Sequence, residues 1–121
     1  MSSIRLYYSN ETYGNITFIN IAYYTGNNIN EVIGFYETQM PNYDWSLLSK
    51  SIVKKDLEIP GTTIEIKSYT LLNFRKSKHS NSQIAPFHVE FSVGETILGA
   101  AKSTIVKISF YKKRLHIASY T

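Results

Sequence analysis

The side chains of this chain that can move a proton or hold a metal are three histidines and nine acids, with serines scattered between them. The histidines are His79, His88 and His116. None has another His, Asp or Glu at a helical metal-ligand spacing such as His-x-x-x-His. His88 and Glu90 stand two apart in an alternating run, so they share one face of a strand. With His116 from a neighbouring strand they would make a metal or acid–base site. The simpler reading is three polar residues on the solvated face of a sheet. No Gly-x-Ser-x-Gly elbow occurs, and the six glycines are scattered instead of forming a phosphate loop. Carboxylate pairs for glycoside hydrolysis, such as Glu37 with Asp44 or Glu65 with Glu90, are arbitrary picks among the acids. The chain therefore reads as non-enzymatic, with no metal and no cofactor.

Two basic clusters offer a different chemistry. Arg75, Lys76 and Lys78 follow Phe74, and Lys112, Lys113 and Arg114 follow Tyr111. Cations interleaved with aromatic rings hold single-stranded nucleic acid through phosphates and stacked bases. Lysines at turns also serve plain solubility. Net charge sharpens the contrast along the chain. Residues 1–60 carry four basic and six acidic side chains, whereas residues 61–121 carry nine basic and three acidic. Such asymmetry suits an anionic partner or two ordinary solvated faces.

A third chemistry is sugar binding, in which a ring stacks on C–H groups while amides bond hydroxyls. Tyr23, Tyr24, Asn27 and Asn28 form one aromatic–amide cluster, with Asn30 close by. Asn42, Tyr43, Asp44 and Trp45, after Gln39, form a second. The plain alternatives are turn chemistry for the asparagines and a core anchor for Trp45. Exposed tyrosines also favour self-association.

Composition bounds these readings. The chain has 121 residues, enough for one domain spanning 1–121 and one core. Hydrophobic residues make up 43% and charged residues 18%, a globular balance. Ten Tyr and six Phe against one Trp, with many Ile, Thr and Val, lean toward strands. The absence of cysteine excludes disulfides, thiolate metal sites and a thiol nucleophile. No charged segment followed by an apolar run marks a signal peptide, and no apolar run reaches membrane length, so cytoplasmic synthesis is expected. The Asn-x-Ser/Thr triplets at Asn10 and Asn15 read as chance in an Asn-rich chain.

The elements that must position these groups follow from periodicity. Strands are expected at 4–8, 15–24, 31–38, 62–72, 86–93, 104–111 and 114–120, with 97–101 a brief strand or tight connection. In 15–24 apolar residues fall on both faces, implying either two covered faces or a bulge near Phe18-Ile19. Turns are expected at 25–28, 94–96 and Lys112-Lys113, and 73–83 reads as an exposed loop. Asp44 ahead of Trp45, Leu48 and Ile52 reads as the cap of one short helix near residues 44–54. Strand–helix–strand alternation is missing, and no internal repeat is present. The expected fold is all-β, an antiparallel β-sandwich of jelly-roll or Ig-like topology, with a barrel as the alternative.

The function expected first is a lectin-like carbohydrate-binding module that self-associates as a homo-oligomer. Its alternatives are a structural self-assembling protein, such as a capsid, coat or inclusion component, and a nucleic-acid binder acting through its basic loops.

Overall fold

The structure, a computed structural model, describes residues 3–14, 16–76, 88–98 and 101–113; of Leu98, Ala101 and residues 111–113 only the backbone is considered. Among the described residues, six strands hydrogen-bond into one antiparallel sheet: β1 (Ser3–Tyr13), β2 (Ile16–Thr25), β3 (Trp45–Val53), β4 (Tyr69–Lys76), β5 (His88–Leu98) and β6 (Ala101–Lys113). Their spatial order is β1-β2-β6-β5-β4-β3, so β2 pairs with the last strand while β3 to β6 run as a meander. Helix α1 (Ile29–Gln39) and a 3-10 turn (Met40–Tyr43) join β2 to β3.

The all-β, antiparallel expectation holds. The described strands all lie in a single open sheet, so among them the choice between jelly-roll and Ig-like topology does not arise. Other elements supply the layers that cover its faces. On the inner face, Val32 and Ile33 of α1 pack with Leu72, Phe74, Val89, Phe91, Val93 and Val106 in the main core. Tyr36 lies over Phe91 with ring centroids 4.2 Å apart, and Phe91 meets Phe74 edge-on at 5.6 Å. On the outer face, the segment 54–68 folds back over one half of the sheet. Its Leu57, Ile59 and Ile66 bury against Ala22 and Ile105. No helix is long and apolar enough to cross a membrane among the described residues.

The short helix sits at 29–39, where a strand was expected, and residues 45–53 are a strand where the helix was expected. Both reversals have local causes. Asn28 accepts a hydrogen bond from the Glu31 amide at 2.9 Å, and Glu31 accepts one from the Asn28 amide at 3.0 Å. This reciprocal cap starts a helix that outweighs the β-branched composition of the segment. Val32, Ile33, Tyr36 and Met40 then recur at helical spacing and turn toward the sheet. Asp44 is no N-cap. It closes the 3-10 turn in the left-handed region at φ 68° and donates its amide to the Met40 and Pro41 carbonyls. The strand that follows is bulged between Leu47 and Ser49. An extra residue inside a two-residue rhythm yields apolar positions at 45, 48 and 52, which imitates a helical repeat.

Other boundaries also moved. The alternation at 62–72 divides: Ile64 and Ile66 belong to the covering segment, whereas β4 begins at Tyr69 and continues through Lys76, where a loop was expected. β5 runs unbroken through the expected 94–96 turn, because Gly94, Glu95 and Thr96 keep ladder partners in β6. β6 likewise continues through Lys112 and Lys113, paired with Thr17 and Ile16, so no turn falls there. The expected strand at 114–120 lies outside the described residues. β2 pairs with β6 in unbroken register, so its two-sided apolar pattern reflects partial cover on both faces, not a bulge.

Candidate functional site

Register determines which side chains share the outer face. Ser49, Asn73, Glu90, Ser109, Asn20 and Ser9 are successive cross-strand partners from β3 to β1. Each position is polar. With neighbouring strands about 4.8 Å apart, the row spans roughly 24 Å. It crosses the half of the outer face that segment 54–68 leaves open. One step further along the strands, Ser46, Arg75, His88, Phe18 and Glu11 occupy the next row on the same face.

The row is internally fastened. Asn73 Nδ2 donates to Ser49 Oγ at 2.9 Å, and Asn73 Oδ1 lies 3.1 Å from His88 Nε2. His88 Nε2 is 3.8 Å from Glu90 Oε2, with the two side chains 28% and 35% exposed. Ser109 Oγ donates to Asn20 Oδ1 at 2.9 Å. Ser9 Oγ is buried and has no hydrogen-bond partner among the described residues. Phe18 is half-buried beside Asn20 and meets the Tyr13 ring edge-on at 6.1 Å. The result is a half-open strip of amides, hydroxyls and one carboxylate, with an aromatic ring at its margin.

The Ser49 and Ser109 hydroxyls of the strip are bonded to amides among the described residues. The Ser49 hydroxyl bonds to Asn73, not to the imidazole. No group of three metal-ligating side chains converges among the described residues. His88 and Glu90 do share a face, as their spacing implies, while His116 and His79 lie outside the described residues. A cavity of about 680 Å³ is lined by Asp56 to Lys67 alone. It belongs to the covering segment, and in it Glu65 makes an exposed ion pair with Lys67 at 3.7 Å.

The aromatic–amide clusters of the sequence are mostly committed to the fold. Tyr23 is on the inner face and shares a hydrogen bond between its hydroxyl and that of Tyr36, fastening helix to sheet. Burial pushes the Tyr23 phenol up to about 12. Tyr24 packs into the cluster beneath segment 54–68. Asn27 accepts from the Thr25 hydroxyl at 2.9 Å through its side chain and from the Thr104 hydroxyl at 2.6 Å through its carbonyl. Asn28 is the helix cap, and Asn30 is an exposed residue of α1. In the second cluster, Trp45 packs edge-on to Phe110 at 6.1 Å, under the Lys76 ammonium 5.0 Å from its ring centre. Lys76 also donates to the Tyr43 carbonyl at 2.7 Å. Asn42, Tyr43 and Asp44 are exposed on the turn before β3, so this cluster presents the Tyr43 ring to solvent.

The basic clusters converge in part. β4 and β6 run in the same direction on either side of β5, so Arg75 and Lys76 come at the same end of the strands as Lys112 and Lys113. Lys78 and Arg114 lie outside the described residues. The polar row cannot be read from the sequence alone. Its members lie in five separate strands besides Glu90, and only the register aligns them. The available signal was polar residues alternating with apolar ones within each strand. Comparison with protein-family models, with curated proteins and with solved structures finds no match.

Proposed function

We propose that the protein is a non-enzymatic carbohydrate-binding module whose binding surface is the open half of the outer sheet face. The observation that carries this reading is the polar row: six cross-strand positions, all Ser, Asn or Glu, on a face whose other half is buried. Amides donate and accept at once, a carboxylate accepts from paired hydroxyls, and Phe18 gives a ring on which C–H groups can stack. Hydrogen bonds within the row hold the side chains before a ligand arrives, which lowers the ordering cost of binding. The length of the row suits an extended oligosaccharide better than a single ring. Compared with the two loop clusters expected from sequence, the site moves from the loops to the strands.

A glycan array probed with the full chain tests this. Binding to at least one oligosaccharide class is expected, and a double variant Asn20→Ala with Asn73→Ala should lower that affinity at least tenfold while melting as the wild type does. An array without any bound glycan removes the proposal.

A second reading is supported by the edges. β1 exposes Ile4, Tyr8 and Tyr13, and β3 exposes Leu47, Leu48 and Ile52. The edges of the six described strands run in opposite directions, so a second copy can continue the ladder. This favours a self-assembling protein. Light scattering at rising concentration tests it: growth of mass supports assembly, and a constant monomer mass removes it.

A further inference from the structure

We infer that the ligand of the open sheet face is an acidic glycan, bearing carboxylate or sulfate groups, and that Arg75 and Lys107 are the residues that select it. This inference rests on the carbohydrate reading above and specifies the ligand class.

Two cations flank the polar row on its own face. Arg75 of β4 neighbours His88 in the row toward the strand ends. Lys107 of β6 pairs with Ser92 and Ala22 on the opposite side of the row, at the border of the covered half. Neither makes an ion pair among the described residues, whereas Lys50, Lys67 and Lys102 each have a carboxylate within 4.0 Å. Arg75 is exposed and Lys107 is half-exposed, so both can be reached. Two strand steps and four residues separate them, which places their Cα atoms roughly 17 Å apart on a diagonal. Glu90, Ser109 and their hydrogen-bonding neighbours lie between. A ligand on this diagonal meets a cation at each end and hydroxyl-binding groups in the middle. That order of charges matches a sugar chain with anionic groups spaced along it.

The same face disfavours a phosphodiester chain. A single-stranded DNA backbone has no free hydroxyl to donate to the half-buried Glu90 carboxylate in mid-row, whereas each ring of a sugar chain has. Strand-binding surfaces also rely on several stacked rings. Here the described rings on the open half are Phe18 and Tyr13, set edge-on to each other at its margin, since Tyr7, Tyr24 and Tyr69 pack beneath segment 54–68.

The test measures binding of the full chain to four probes at low salt: a polyuronate, dextran sulfate, neutral dextran, and a single-stranded oligonucleotide. The acidic polysaccharides should bind at least tenfold more tightly than neutral dextran, with the difference shrinking as salt screens the cations. The variant Arg75→Gln with Lys107→Gln should lose that preference. The control Lys54→Gln with Lys55→Gln removes the same net charge from residues beyond β3 and should keep it within twofold. Equal or tighter binding of neutral dextran overturns the acidic assignment and leaves the carbohydrate reading in place. Equal losses in the two double variants overturn the role of Arg75 and Lys107, because net charge alone then explains the attraction. No polysaccharide binding of any kind sinks the carbohydrate reading itself, and tighter binding of the oligonucleotide than of any polysaccharide overturns both.

Discussion

The outer face of the sheet has two halves built on the same strands, and they are opposites. In the covered half, Tyr24, Ile105 and Gly94 come into register, and Leu57, Ile59 and Ile66 of segment 54–68 fill the space above them. Gly94 has no room for a side chain: a Cβ there would come 2.5 Å from Ile66 Cγ2 and 3.2 Å from the Ser68 carbonyl. In the open half, four residues earlier in β5, the row carries Glu90 between Asn73 and Ser109. One sheet face thus spends half its area on stability and keeps the other half for polar groups. Burying the polar half under the same loop would cost about 1–3 kcal/mol for each group left unbonded. Adjacent residues of the same strands therefore differ in what a substitution does to them.

The sharpest way to break the contrast is Ile66→Ala, which should cost about 2–5 kcal/mol by emptying a buried site; a denaturant midpoint near that of the wild type would show that segment 54–68 adds little. Gly94→Ala should cost about 1–3 kcal/mol through overpacking against Ile66 and the Ser68 carbonyl, again read as a midpoint shift. The inner face can be tested by pH. The Tyr23 phenol is raised in the folded state, so its contribution is complete below pH 10 and is lost as pH climbs from 10 toward 12. Alkaline denaturation should begin in that window and start later in Tyr23→Phe, while an ultraviolet titration of the wild type should show a late-ionising tyrosine. Loss of the helix cap in Asn28→Ala should cost about 1 kcal/mol, seen as a small drop in melting temperature. In the open half, Ser109→Ala should change stability by less than about 0.5 kcal/mol yet weaken glycan binding. A large loss of stability there would mean that the polar row is structural.

The fold class was legible because pleated strands leave a two-residue rhythm that survives without knowledge of partners. Pro86 to Val93 shows it plainly, and Val89, Phe91 and Val93 do form the inner core. The helix was legible only in its cap. Asn28 and Glu31 carry the capping signal, but Val32, Ile33 and Phe35 resemble a strand, and Gly34 resembles a bulge. At β3 the bulge after Leu47 broke the rhythm, and Asp44 looked like a cap for the wrong element. For the site, the spacing of His88 and Glu90 correctly placed them on one face. Their neighbours Asn73, Ser109, Asn20 and Ser49 were out of reach, since nothing in a strand states which strand lies beside it.

By itself the sequence determined that this protein is antiparallel and extended, free of thiol chemistry, and basic in its second half. Those properties depend on side-chain type and short-range period, which neighbours in the chain fix. Only the tertiary structure decided that β2 lies against β6, that α1 takes one face and segment 54–68 half of the other, and that six polar residues meet in a row. Strand order and register join residues as far apart as Asn20 and Ser109. A shift of one residue would turn each of them to the opposite face.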